Sequence, residues 1–242
     1  MQPGNPENIG IPATSGYPVH VRGDLDPALS RWMWLVKWIL AIPHYIVLLF
    51  LHIAYAVVTI IAFFAILFTG RYPRGLFDFN VGVMRWSWRV TFYAWGVLGT
   101  DKYPPFSLDS RPDYPADVVV DYPDRLHRGL VLVKWWLLAI PHYLLVGAMV
   151  SGTWAATGWD DEDWSGVYAP PLLGLLVLIA VIALLFTARY PGGLYDFVLG
   201  INRWALRVQA YSSLMRDEYP PFRLDQGARE GDMPDRPVGL DK

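Results

Sequence analysis

The stretch that decides the fold is VKWILAIPHYIVLLF, residues 36–50, an apolar run with Lys37 near its start and Pro43-His44-Tyr45 inside it. It returns as VKWWLLAIPHYLL at residues 133–145, with one residue inserted between the lysine and the proline. Chance likeness between apolar segments does not keep Lys, Pro, His and Tyr in order, so the chain carries an internal repeat. Working outward, LFTGRYPRGLFDFNVGVMRWSWRV (67–90) is answered by LFTARYPGGLYDFVLGINRWALRV (185–208). DKYPPFSL (101–108) is answered by DEYPPFRL (217–224), and Tyr17-Pro18 and Tyr114-Pro115 open the two halves. This predicts a first repeat over 17–108, a linker over 109–113 and a second repeat over 114–224. The tails, 1–16 and 225–242, have the polar, Gly/Pro-rich composition of disordered chain.

Only 17% of residues are charged against 54% hydrophobic, with mean hydropathy +0.26. A soluble domain carries about 25% charged residues. The deficit lies in two apolar regions, 32–68 and 131–187. A single helix over 32–68 would be about 55 Å long at 1.5 Å per residue, well beyond a hydrocarbon core of about 30 Å. Two spanning helices, 34–50 and 53–68, fit better, with a turn near Leu51–Ile53 that neither Gly nor Asn signals. The second half is expected to follow suit, with helices 131–150 and 170–187 separated by a polar insertion, 151–169, that holds Asp160, Asp161, Glu162 and Asp163. The expected fold is all-α and integral to the membrane: two tandem helical hairpins, each followed by an amphipathic interfacial helix, with short cytoplasmic strands such as 17–23. Asp26 and Pro27 read as the cap and first residue of the first helix.

Basic residues flank both hairpins (Arg31, Lys37, Arg71, Arg74; Arg125, Arg128, Lys134, Arg189), whereas the insertion is acidic. The positive-inside tendency then puts both termini of a multi-pass chain on the cytoplasmic side. A net charge of −2 gives no basic field for nucleic acid. The absence of cysteine excludes disulfides and thiolate chemistry.

The candidate chemistry sits on three features. Asp78, Gly82, Arg85 and Arg89 share one helical face, as do Asp196, Gly200, Arg203 and Arg207. With Trp86 and Trp204 beside them, the arginines are expected to reach anionic headgroups at the membrane interface, with Asp78 and Asp196 as charge partners. Pro43 and Pro141 each free a helical carbonyl and kink the helix. The adjacent His44 and His142 are candidates for satisfying those carbonyls, or for a paired proton or ligand site. The two YPPF segments read as ordered aromatic turns, and Gly75 and Gly193 as close entries into the following helices. No metal set and no catalytic triad emerges.

The doubled KW.LAIPHY, LFT.RYP.GL.DF and YPPF signatures resemble the bacterial DUF4389 domain family, in two copies from Tyr17 to Leu224. The resemblance implies an integral protein of the bacterial cytoplasmic membrane and supplies no catalytic residues; the acidic, Trp-rich insertion is this chain's departure from it. The leading functional expectation is a noncatalytic membrane scaffold or accessory subunit. Its partners would be anionic lipids, with bound phospholipid, and another membrane protein or further copies of itself. A small transporter using the two histidines is the alternative, and a lipid-modifying enzyme ranks below it.

Overall fold

The computed structural model describes residues 17–156 and 166–224. Both tails and the Asp160–Asp163 cluster lie outside the described residues. The chain is mostly helical. It runs β1 (Val19–Gly23), α1 (Trp34–Thr69), α2 (Arg74–Tyr93), β2 (Ala116–Val120), α3 (Leu130–Val133), a π turn (Lys134–Leu138) and α4 (Ile140–Val150). Then follow β3 (Thr153–Ala156), β4 (Gly166–Ala169), α5 (Leu172–Thr187) and α6 (Gly192–Ser212).

The turn expected at Leu51–Ile53 is not made. Residues 34–69 form one uninterrupted helix, with Pro43 inside it. Apart from the one hydrogen bond that Pro43 forfeits, nothing in its sequence interrupts the backbone ladder, and excess length alone does not fold a helix back. Only the second repeat is divided, where β3 and β4 pair antiparallel from Thr153 opposite Ala169 to Ala156 opposite Gly166. The basic flanks Arg31 and Arg71/Arg74 therefore stand at opposite ends of α1, about 54 Å apart. The inference that both flanks share one side of a membrane loses its basis. Among the described residues, two helical stretches are long and apolar enough to cross a membrane, Trp34–Thr69 and Leu130–Val150; Leu172–Thr187 is apolar but shorter.

Asp26 does not cap α1. Its Oδ1 accepts a bond from the Ala28 amide in a local turn at 3.0 Å, and α1 begins eight residues later. At the other end Gly70 takes φ 72° and returns its amide to Ile66 O at 2.7 Å, a left-handed helix stop. Ala188 does the same at the end of α5 with φ 57°. Thr69 and Thr187 each accept the amide of the arginine two residues on, at 3.2 Å, so LFT.RYP is a tight helix–helix corner in both copies. Gly75 and Gly193 face open space, so no close approach explains them.

α1 shows a narrow seam to the rest of the protein: Lys37, Ala41, His44, Leu48, Tyr55, Ala62 and Ile66. These recur at the three-, four- and seven-residue steps that keep one stripe of a helix in contact. α2 and α6 differ: most of their residues are buried. They are not surface-lying amphipathic helices but the centre of the core, with Phe77, Trp88, Phe92, Tyr195 and Leu199 packed on Val19, Val21, Ala116 and Val118. Each such fully buried side chain contributes about 1.5–3 kcal/mol.

β1 and β2 form an antiparallel ribbon in which Val21 faces Val118, flanked by Val19 with Val120 and Gly23 with Ala116. Counting from the Tyr-Pro openers, Val21 and Val118 are the same position of the two repeats. A local twofold axis therefore passes through that pair. The strands are exchanged across it. β2, which opens the second repeat, accepts the Arg85 Nε–H of the first repeat at Val118 O, 3.1 Å. β1 accepts the Arg203 Nε–H of the second repeat at Val21 O, 3.2 Å.

Candidate functional site

Each repeat builds one polar and aromatic clasp where the start of its apolar helix meets its YPPF segment. In the first, Lys37 Nζ reaches Thr100 O and Asp101 Oδ1, both at 2.7 Å, and lies 5.3 Å from the Tyr93 ring centre. Two turns on, His44 stacks on Phe106 at 3.9 Å and is flanked by Tyr103 and by Trp86 edge-on. In the second, Lys134 Nζ reaches Arg216 O at 2.7 Å and Asp217 Oδ1 at 2.8 Å, again 5.3 Å from a ring, that of Tyr211. His142 stacks on Phe222 at 4.2 Å, flanked by Tyr219 and Trp204.

These clasps match although the lysine-to-histidine spacing is seven residues in one copy and eight in the other. The inserted residue is absorbed by the π turn, in which the Ala139 amide reaches back five residues to Lys134 O at 3.1 Å. Without it, one extra residue would rotate His142 by about 100° relative to Lys134 and take it out of its cage. Pro141 follows directly, near the start of α4, where its missing amide is least disruptive. Around Pro43 it is Tyr103, not His44, that serves the helix backbone, donating its hydroxyl to Leu40 O at 3.1 Å.

Both histidines are fully buried. The Trp86 indole N–H donates to His44 Nδ1 at 3.0 Å. Nδ1 is thus an acceptor, and the ring in this pose is the neutral tautomer with its proton on Nε2. The matching Trp204 adopts the same edge-on pose, but its N–H and both His142 nitrogens make no hydrogen bond among the described residues. The two cages share no residue. The histidines are therefore packed separately, each by its own repeat, and not gathered into one paired site on the twofold axis. No group of three His, Cys, Asp or Glu suited to a metal occurs among the described residues.

The arginine faces are turned inward. Arg89, Arg203 and Arg207 are fully buried. Arg85 donates to Val118 O and to Leu108 O, 2.9 Å, and pairs with Asp117 at 2.8 Å. Arg89 donates to the carbonyls of Ser107 and Asp109, pinning the segment after YPPF. Arg207 lies 5.5 Å from the Tyr17 ring centre. The expectation that these groups meet lipid headgroups is corrected: they are turned into the fold, where Arg85, Arg89 and Arg203 donate to backbone carbonyls of the loops and the exchanged strands. Asp78 is half of an exposed pair with Arg74, 3.4 Å, and does not meet Arg85. Asp196, at the matching place on α6, forms no ion pair among the described residues. Tyr114 donates to Lys102 O at 3.2 Å, and burial raises its phenol well above the ordinary value, keeping it a donor.

The model of the family described as Domain of unknown function (DUF4389) matches residues 31–107 and 169–223, together more than half of the chain. The chain belongs to this family. The first match takes in the whole Lys37–Phe106 clasp. The second begins at Ala169, the last residue of β4, and ends just past Phe222, leaving the π turn outside, so it covers part of the second clasp. No curated protein and no solved structure matches. The IPHY, RW and YPPF signatures of this DUF4389 chain are each visible in its sequence, but separately. That they converge on one clasp per repeat was hidden, since no pattern in the chain links residues 44, 86 and 106.

Proposed function

We propose that the chain is a noncatalytic integral scaffold of the bacterial cytoplasmic membrane, contacting lipid and a membrane-protein partner. The observation that carries this reading is the exposure of α1. Seventeen of its large apolar side chains stand out from the protein, among them Phe50 at 66% and Phe68 at 72%. Leu144 at 69% and Phe186 at 77% extend the same character to α4 and α5. Soluble monomers keep contiguous apolar patches to a few hundred Å², so such a surface calls for hydrocarbon or a protein partner around it.

A second feature supports the scaffold over an enzyme. The buried cations that elsewhere serve catalysis are committed within the fold, Lys37 and Lys134 to carboxylates and carbonyls, Arg85 and Arg89 to loop backbone. Such groups hold a shape. The test is extraction of native membranes with alkaline carbonate, then purification in mild detergent with chemical cross-linking. Retention in the pellet and one recurring cross-linked membrane protein are expected. Release into the supernatant would sink the membrane assignment, and a chain that never cross-links to another protein would sink the scaffold.

A further inference from the structure

We infer that the groove between the C-terminal half of α1 and the start of the second repeat is a binding site for one anionic phospholipid. The inference rests on the membrane reading and gives it a specific place. Two hollows along the same elements carry it. The first, about 680 Å³, lies at the end of α1 and is lined by Arg71, Arg125, His127 and Arg128, with no carboxylate in its wall. None of these three arginines pairs with a carboxylate among the described residues. The second, about 300 Å³, is lined by Thr59, Ile60, Phe63 and Phe64 of α1, by Trp135 of the π turn, and by Ser212 and Leu214.

The two hollows follow the same pair of elements. On α1 they are separated by the five-residue step from Phe64 to Thr69, about 8 Å of helix. On the other wall the chain runs back from Gly129 to Trp135, so both walls lead from a cationic mouth to an apolar slot. This is the polarity of an amphiphile with a negative head, and the volumes fall in the range of small-molecule sites. The mouth is held in place by backbone bonds. The Leu126 amide donates to Gly70 O at 2.9 Å, and the His127 amide to Asp217 Oδ2 at 2.7 Å. Arg128 folds over the helix stop, its Nε 3.3 Å from where a Cβ on Gly70 would sit.

The competing explanation is that the arginines only offset the helix end. The C-terminus of a helix carries about half a negative charge; three guanidiniums exceed it several-fold, and of the acids beside Arg125 Asp217 is engaged by Lys134 and Glu218 by Arg216, so with Asp124 counted the mouth keeps a net positive charge. Guanidinium binds phosphate oxygens in bidentate fashion, so the phosphodiester belongs at the mouth and one acyl chain in the slot. The opposite repeat has Arg31 and Arg189 at the matching positions, but Ala28 where Arg125 stands. The mouth is not duplicated.

The full chain in mild detergent is titrated with dioleoyl phosphatidylglycerol, with dioleoyl phosphatidylcholine and with inorganic phosphate, bound ligand being counted by native mass spectrometry. One phosphatidylglycerol per chain, retained in preference to phosphatidylcholine, is expected. Arg125→Gln with Arg128→Gln should weaken its retention about tenfold or more. Phe64→Ala should weaken lipid retention and leave phosphate unaffected, with an unchanged thermal midpoint showing that both variants fold. Retention indifferent to both substitutions overturns the site. Phosphate bound as tightly as the lipid, with no effect of Phe64→Ala, overturns the lipid in favour of a free oxyanion. Carbonate extraction is independent of either result, so a chain that stays in the membrane yet holds no lipid here separates failure of the site from failure of the membrane reading.

Discussion

Removing one partner of the Lys37–Asp101 pair should be among the most damaging single changes in this protein, and the two partners should differ. The Lys37 side chain is 3% exposed and Asp101 19%. At 2.7 Å and an effective dielectric constant of about 20 the attraction is about 6 kcal/mol, largely offset by several kcal/mol for desolvating each ion. The pair is thus nearly neutral as a whole, but half of it is not. Asp101→Asn leaves an ammonium sealed under Tyr93 with only Thr100 O, a loss of about 3–5 kcal/mol. Lys37→Met removes the buried charge and leaves a carboxylate that is partly solvated and still accepts the Ser30 amide at 2.6 Å. It should lose less, and the double variant should lie close to Lys37→Met alone. At about 2–4 °C per kcal/mol for a chain of this size, Asp101→Asn lowers the thermal midpoint by about 6–20 °C in detergent. Equal effects of the two single changes, or strict additivity in the double, would refute the assignment of the burial penalty to the lysine.

The π turn makes an unusual expectation. Deleting Trp136 shortens the lysine-to-histidine spacing to that of the first repeat, so the variant should keep its midpoint to within about 1–2 kcal/mol of stability, where a deletion inside a regular helix unfolds; denaturation of purified protein checks this. Ala188→Gly relieves a left-handed alanine and should stabilise by about 1 kcal/mol, while Gly70→Ala should destabilise by at least as much, both read as thermal shifts. Trp86→Phe forfeits a buried hydrogen bond to His44, about 1 kcal/mol, and should cost more in stability than Trp204→Phe, whose N–H makes no bond. Gly82→Ala would bring a Cβ within 2.8 Å of Leu108 Cβ and 3.1 Å of Leu108 O, an overpacking loss of about 1–3 kcal/mol by the same assay.

The repeat, the position of nearly every helix and the short strand after Tyr17 were legible because they rest on local signals: periodicity, helix-stopping prolines and matched motifs. Two larger features were not. The turn at Leu51–Ile53 was inferred from a length limit that belongs to the bilayer, whereas the helix obeys its own hydrogen bonds and continues. The arginine stripes of α2 and α6 look the same in sequence whether they face headgroups or loop carbonyls. Their acceptors, Ser107, Leu108 and Asp109 for Arg89 and Arg85, are main-chain oxygens that no residue type announces. One sequence clue did point to the buried pose. The stripe residue between the aspartate and the arginines is Gly82, and in the structure Leu108 lies directly over it.

The exchanged strands bear on how this molecule is made. During synthesis the ribosome delivers β1 almost a hundred residues before the strand it pairs with. Until β2 and then α6 emerge, Val19 and Val21 lack part of the surface that buries them, and the Val118 carbonyl that accepts from Arg85 does not yet exist. The first half thus remains an open body, waiting on the second to close it. A chain with a single copy would face the same vacancy permanently, unless a sister chain lent its strand. Because the axis passes through one position of the repeat facing itself, such a loan is symmetrical: each copy would give what it receives. The tandem chain has that exchange tied into one polypeptide, where the sister can never be lost to dilution.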